Sequence, residues 1–407
     1  MQAGHLSGFN QLPVTIHQLP VTYNETPMIR DPESFNILLD TVSRLVREKL
    51  IPREEEVTES DEIPADIVAA MRTMGLFGLT IPEEYGGLGL TSEEEVLTSM
   101  ALCYASPVFR SRIGTNTGIG AQGIVIDGTA EQKQKYLPRL ASGEITGSFA
   151  LTEPESGSDA GSLKTTARRD GDHYLLNGTK RYITNAPEAG VFTVMARTDL
   201  QSKDAKGVSA FIVERNTPGL SVGPADRKMG QRGSHTADVI FDNVRIPATS
   251  IIGGKEGQGF KTAMKVLDKA RLNIAAVCVG AAERLLAEAL RYAKERQQFG
   301  KPIAEFQLIQ AMLADSKAEI YAARSMVLEA ARKKDSDENI TLEASCAKLF
   351  AAEMVGRVAD RAVQIHGGAG YMQASAVERL YRDVRLFRLF EGTSQIQQLV
   401  IARHLLK

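Results

Sequence analysis

DGDHYLLNG, residues 170–178, is the stretch on which the fold turns. Asp170-Gly171 and Asn177-Gly178 are strong short hairpin signals, because both central residues of a type I′ turn take positive φ. The alternating segment His173–Leu176 between them reads as a strand. Outward from it, VFTVMART (191–198), VSAFIVER (208–215) and ADVIFDNVRIP (237–247) are Val-, Ile- and Phe-rich runs of strand type. This period of two holds over residues 146–252 and predicts a central antiparallel β domain.

On both sides the period lengthens. Phe35, Leu38, Leu39, Val42, Leu45 and Val46 recur at three- and four-residue intervals, as one buried helix face requires. Pro64 to Met74 repeats that logic, and Thr91-Ser92 followed by three Glu is a helix start. Residues 31–145 therefore read as an N-terminal all-α domain. After the Gly-rich corner GGKEGQG (253–259), Phe260 to Arg296 has the pattern of one very long helix. Helical stretches near 303–334, 341–365 and 375–389 follow, and a last one starts at Thr393. Long helices on short loops over residues 253–407 predict a C-terminal four-helix bundle. The fold class is α+β and multidomain. Residues 1–30 form an N-terminal arm with a tandem repeat, QLPVTIH (11–17) and QLPVTYN (18–24), and no derivable function.

A chain of 407 residues has room for two or three domains. Its formal net charge of −2 argues against nucleic acid as a partner. Cys103, Cys278 and Cys346 lie far apart, with neither disulfide nor metal-ligand spacing, so a reducing compartment, the cytoplasm, is expected and no metal site. No stretch has the ~18 uninterrupted apolar residues of a membrane span.

GIGAQG (118–123) matches the dinucleotide fingerprint, but FRSRIGTNT precedes it in place of a hydrophobic strand. It reads as small residues for close packing. FALTEPESGSDAGS (149–162) offers hydroxyls at Thr152, Ser156 and Ser158, with Gly157 for close backbone approach and Pro154 for stiffness. In KRYITNA (180–186), Tyr182 and Thr184 stand two apart on one strand face. Together the two segments suit a flat polar heterocycle or a phosphate, where the loop alone would read as a surface turn. KERQQFGKPIAEFQ (294–307) sets Arg296 and Lys301 about a glycine, a corner suited to phosphate. QIHGGAGYM (364–372) has more glycines than a helix end needs. In LFRLFEGTSQIQ (386–397), Glu391 follows an apolar run and precedes Thr393, a helix cap. Apolar neighbours raise its pKa and the helix end lowers it; a group so held can be tuned as a general base, and the alternative is a carboxylate simply stabilised by the helix dipole.

In this order and at these intervals, LTEP…GSD, ITN, ERxQFG, QIxGGxGY and EGTSQIQ resemble the acyl-CoA dehydrogenase flavoprotein family, from about Asp31 to Lys407. The resemblance implies non-covalent FAD. Phe149, Leu151, Thr152, Gly157 and Ser158 match the loop around the flavin, with Tyr182, Ile183 and Thr184 against the ring. Tyr182 stands where many relatives carry Trp, a residue this chain lacks. Arg296, Phe299, Gln307, Gln364, Gly367 and Gly368 match positions that hold FAD, some from a neighbouring subunit, so a homo-oligomer, usually a tetramer, is implied. Thr393 and Gln395 match residues closing over the adenine nucleotide.

Glu391 matches the family's catalytic base, which removes the α proton of an acyl-CoA thioester while the flavin takes a hydride from the β carbon, leaving trans-2-enoyl-CoA. The Glu backbone amide and a flavin hydroxyl hold the carbonyl oxygen. Some relatives carry the base at the position of Ala270, which cannot serve. Ser158, Asp268, Arg271 and Phe390 match substrate-side positions. FRS (109–111) resembles the YRS of glutaryl-CoA dehydrogenases, which makes Arg110 a candidate grip for a distal carboxylate, although Cys103 and Phe390 replace that group's Glu and Tyr. DVRLFRLFEGT and RKMG…HTADVIFDNVRIP look instead like long-chain-type relatives. An electron-transfer flavoprotein is the implied acceptor and fatty-acid β-oxidation the implied setting. An oxidase or desulfinase on the same scaffold, and a non-catalytic acyl-CoA-binding module, are the alternatives.

Overall fold

A computed structural model describes residues 28–202 and 204–406. The tandem repeat of the arm lies outside the described residues. Helices α1 (Pro32–Leu45), α2 (Glu54–Ser60), α3 (Ala65–Thr73), α4 (Ser92–Leu102), α5 (Pro107–Thr117), α6 (Gln122–Asp127) and α7 (Ala130–Ala141) form the N-terminal helical region. Asp31 caps α1, and Phe35, Val42 and Leu45 bury its predicted face. Thr91 and Glu94 close a capping box on α4, as the Thr-Ser-Glu-Glu-Glu run anticipates. GIGAQG joins α5 to α6, with the Gly120 position packed against the backbone of Gly147 and no sheet preceding it.

Strands β1 (Thr146–Ala150), β2 (Thr166–Asp170), β3 (His173–Thr184), β4 (Ala189–Arg197), β5 (Val208–Glu214), β6 (Leu220–Val222) and β7 (Thr236–Pro247) make one sheet in the order β1-β4-β2-β3-β7-β6, with β5 also on β4. Two expectations need correction. The sheet is mixed, because β1 runs parallel to β4 and β2 meets β4 in parallel. Asp170-Gly171 does turn the chain, the Asp170–His173 pair closing β2 on β3 with Gly171 at φ +60. Asn177-Gly178 does not. It lies inside β3, at a register shift against β7. There a Cβ on Gly178 would stand 2.5 Å from the Thr165 hydroxyl, so the glycine serves a close approach.

The C-terminal helical domain comprises α8 (Gly259–Glu295), the short hairpin β8 (Gln297–Gln298) and β9 (Lys301–Pro302), α9 (Gln307–Asp335), α10 (Thr341–His366), α11 (Ala376–Val384) and α12 (Ser394–Leu405). From Ala270 to Ala282 every residue of α8 is buried. Helices α4, α9 and α10 surround it, so no solvent face remains. At Gly280 an added Cβ would lie 2.3 Å from the Met100 carbonyl oxygen, so α4 and α8 meet almost backbone to backbone. Gly280→Val is expected to cost at least about 1–3 kcal/mol by overpacking, read as a lower denaturation midpoint with an unchanged m value.

Two polar clusters, the first buried and the second half-buried, lock the three regions together. Glu54 of α2 accepts from the Ser106 amide and pairs with Arg379 of α11 at 3.0 Å. Asp383 of α11 accepts from Ser106 Oγ at 2.9 Å and from the Gln231 amide. Burial pushes the Asp383 carboxyl up to about 6. In the second cluster both ring nitrogens of His235 face acceptors, Glu188 Oε1 and the Asp61 carbonyl oxygen, so the ring must carry two protons. The Glu188 partnership raises its pKa to about 9. A raised folded-state pKa gives stability that is complete below the unfolded value near 6.5 and is lost as pH rises through about 9. The stability difference between the wild type and His235→Gln should shrink across that window, measured by denaturant melts. A difference that is constant with pH contradicts the charged ring.

Candidate active site

Helix α11 buries Val377, Leu380 and Val384, and the 3-10 turn after it, Arg385–Arg388, buries Phe387, whose ring stacks on Phe390 at 5.7 Å. Tyr381, on the same helix, is 45% exposed. Arg379 and Asp383 are buried because Glu54, Ser106 and Gln231 satisfy them. The chain then reverses through Glu391 at φ +53 and Gly392 at φ +86, and Thr393 Oγ1 caps α12 by accepting from the Ile396 amide at 3.2 Å. A left-handed glutamate costs about 1–3 kcal/mol, a strain that tends to sit at functional positions.

Glu391 opens on a cleft to which all three regions contribute. Helix α5 supplies Arg110 and Gly114, α8 supplies Lys269, Ala270 and Asn273, β3 supplies Thr184, and Phe390 lies beside the carboxylate. Neither the Glu391 carboxylate nor its backbone N–H has a hydrogen-bond partner among the described residues. Burial pushes the carboxyl up, against the pull of the Arg110, Lys348 and Arg271 charges. The residue that lines the cleft thus carries both a free acceptor and a free donor.

Arg110 Nη2 donates to Asn273 Oδ1. The amide of Asn273 donates to Glu95 at 2.8 Å, and Lys269 pairs with Glu95 at 3.4 Å. Arg110 has no carboxylate within 4.0 Å among the described residues. Arg271 and Asp268 pair with each other at 2.7 Å, and Asp268 also accepts from Thr341.

On the β side, Phe149 and Leu151 are buried. The loop after them is braced by Lys180, a fully buried side chain whose Nζ donates to the Leu151 carbonyl at 3.0 Å and to Glu153 at 2.7 Å. Glu153 in turn accepts from the amides of Lys164 and Thr165. The hydroxyls of Thr152, Ser158 and Thr184 have no protein partner among the described residues, and Gly157 faces open space. A bulge between Lys180 and Ile183 breaks the simple alternation expected for this strand. It puts Tyr182 at φ +58 and 60% exposed, while Ile183 turns into the sheet core.

The remaining candidates form a second patch. Arg296, Phe299 and Gln307 are exposed past the end of α8, about 40 Å beyond Ala270 at 1.5 Å per residue. Gln364, Gly367 and Gly368 are exposed at the end of α10, beside that end of α8, since the His366 ring stacks on Tyr292 at 4.3 Å. Within one chain this patch is separate from the cleft. Gln395 is exposed on the first turn of α12, close to Glu391 in the chain.

Residues 32–144 match the family model described as acyl-CoA dehydrogenase, N-terminal domain, residues 148–244 the middle domain and residues 257–406 the C-terminal domain. The chain belongs to the acyl-CoA dehydrogenase family. It is an oxidoreductase of that flavoprotein family. It is 46% identical to a probable acyl-CoA dehydrogenase, YngJ, of Bacillus subtilis, over 90% of this chain and 97% of that protein. It is 42% identical to a 3-(aryl)acrylate reductase of Clostridium sporogenes, over 92% of this chain and 99% of the relative. The solved butyryl-CoA dehydrogenase of Megasphaera elsdenii superposes with a TM-score of 0.90 at 35% identity, over 95% of this chain and all of that one. Sequence reasoning missed Glu95, Lys269 and Asn273 in the cleft and Lys348 beneath the Glu391 turn. Lys269 and Asn273, spaced i, i+4 on α8, were the available signal.

Proposed function

We propose that the chain is an FAD-dependent acyl-CoA dehydrogenase in which Glu391 removes the α proton. The observation that carries this reading is the pairing of an unpartnered carboxylate with an unpartnered N–H at one left-handed residue facing a three-sided cleft. The carboxylate accepts the proton from C2 of the thioester. The N–H donates to the thioester carbonyl oxygen, where negative charge grows as the proton leaves. Burial, by raising the carboxyl pKa, strengthens the base.

The free hydroxyls of Thr152, Ser158 and Thr184, the open Gly157 and the exposed Tyr182 ring, which has the Arg181 guanidinium over one face, fit an isoalloxazine and its ribityl chain. FAD held there supplies the hydride acceptor for C3, so that the product is a 2-enoyl-CoA. Ser158, Arg271 and Phe390 then lie on the substrate side, and Thr393 and Gln395 on the adenine side. Arg296, Phe299, Gln307, Gln364, Gly367 and Gly368 complete the site from a second copy, because they lie too far along α8 and α10 to reach their own cleft. Phe299 at 93% and Leu308 at 81% exposed need such a cover. A tetramer is the expected state.

Electrons leave to an electron-transfer flavoprotein, and the three free cysteines suit the cytoplasm. Among the described residues no helix is long and apolar enough to cross a membrane. Likeness to a 3-(aryl)acrylate reductase favours a second reading, the same residues run backwards with Glu391 protonating C2.

The test is an anaerobic titration of the yellow holoprotein with a panel of acyl-CoAs. The panel includes glutaryl-CoA, because Arg110 lacks a carboxylate partner. Bleaching with formation of enoyl-CoA supports the dehydrogenase. Recovery of colour when enoyl-CoA meets dithionite-reduced protein supports the reductase direction. Oxygen uptake without an acceptor indicates an oxidase, and no spectral response to any member indicates a binding module.

A further inference from the structure

Lys348 lies on α10 with no exposed surface, beneath the turn that carries Glu391. Its Nζ donates to the Gly392 carbonyl oxygen at 2.6 Å, and no carboxylate lies within 4.0 Å of it among the described residues. A buried ammonium without an ion-pair partner is costly, and an apolar side chain of similar size would fill the space more cheaply. Its position therefore needs a reason other than packing.

The turn is gripped from a second side. Gln397 on α12, also fully buried, donates from Nε2 to the Glu391 carbonyl at 3.2 Å and to the Gly392 carbonyl at 3.1 Å. A Cβ on Gly392 would stand 2.5 Å from that same nitrogen, so the grip closes on a glycine. Both carbonyls of two consecutive positive-φ residues are thus held by buried donors.

Resting on Glu391 as the base, we propose that Lys348 is a positioning residue for the reaction, holding the left-handed turn through the Gly392 carbonyl and setting a positive charge under the carboxylate. The charged groups around Glu391 are Arg110 from α5, Arg271 from α8 and Lys348 from α10. The titratable groups around Lys348 are Glu391, Arg271, the buried and uncharged thiol Cys278 of α8, and Glu353 on its own helix. Glu353 is engaged elsewhere, accepting from Ser394 at 2.7 Å. Burial brings Lys348 down only to about 8, so it stays charged through neutral pH.

The experiment compares holoprotein variants Lys348→Met and Gln397→Leu by the anaerobic rate of flavin reduction with butyryl-CoA against pH. Lys348→Met should lose about 10²-fold in rate at neutral pH through misplacement of the base. Its rising pH limb should also move upward by about one unit, because a stabilising positive charge is gone. Gln397→Leu should lose rate without moving that limb. If Lys348→Met folds with full flavin content and keeps the wild-type limb, the proposal is overturned. Should Lys348→Met lose flavin, Lys348→Gln, which keeps a donor without the charge, takes its place with the same expected shift. Glu391→Gln separates the two readings: a fully active Glu391→Gln removes the base itself, whereas an inactive one beside an unshifted Lys348→Met removes only the positioning role.

Discussion

Glu391→Gln should reduce its flavin with acyl-CoA about 10²–10⁴-fold more slowly than the wild type, the usual weight of a positioned general base. The substitution keeps the size of the side chain, the backbone N–H and both carbonyls that Lys348 and Gln397 hold. What it removes is the carboxylate proposed to take the proton from C2. Substrate affinity should therefore survive, read from the flavin spectrum on adding enoyl-CoA, while turnover falls. The pH dependence follows from the same environment. Burial raises the carboxyl above the usual carboxylate range, so the wild-type rate should climb with pH as that group ionises. In Glu391→Gln the climb should vanish.

Lys180→Met carries the second large effect, this time on stability. Lys180 and Glu153 are both almost entirely buried and 2.7 Å apart. Removing one member of a buried pair leaves the other charge uncompensated, at a cost of about 3–5 kcal/mol. The Leu151 carbonyl also loses its donor. The loop bearing Thr152, Gly157 and Ser158 loses its brace, so flavin content should fall together with the urea midpoint. The double variant Lys180→Met, Glu153→Gln removes both charges and should recover much of the loss. A double variant no more stable than the single would mean that packing, and not the pair, holds the loop.

The α, β, α order was legible because each region keeps its own hydrophobic period over many residues, and because Asp31, Thr91 and Thr393 cap helices locally. The sheet was less legible. Nothing near Thr146–Ala150 shows that it will pair in parallel with β4, since that choice is made by a partner some forty residues away. Asn177-Gly178 misled because a glycine needed for close approach looks the same in sequence as one needed for a turn.

The site divides in the same way. Glu391 stood out because an acid after Leu-Phe and before a hydroxyl cap is locally odd. Lys348 did not, because a lysine within a helix looks solvated until the neighbours that bury it are known. The burial of Arg379 and Asp383 was likewise not legible, their partners Glu54, Ser106 and Gln231 being far away in the chain. The separation of the distal patch from the cleft follows from helix length alone, once α8 is seen to be continuous.

The most direct measurement is hydrogen exchange at C2. Holoprotein is incubated anaerobically with butyryl-CoA in deuterated buffer, and the thioester is recovered and weighed by mass spectrometry. Deuterium should enter C2 with the wild type and stay at background with Glu391→Gln. Equal incorporation by both proteins would show that another group removes the proton.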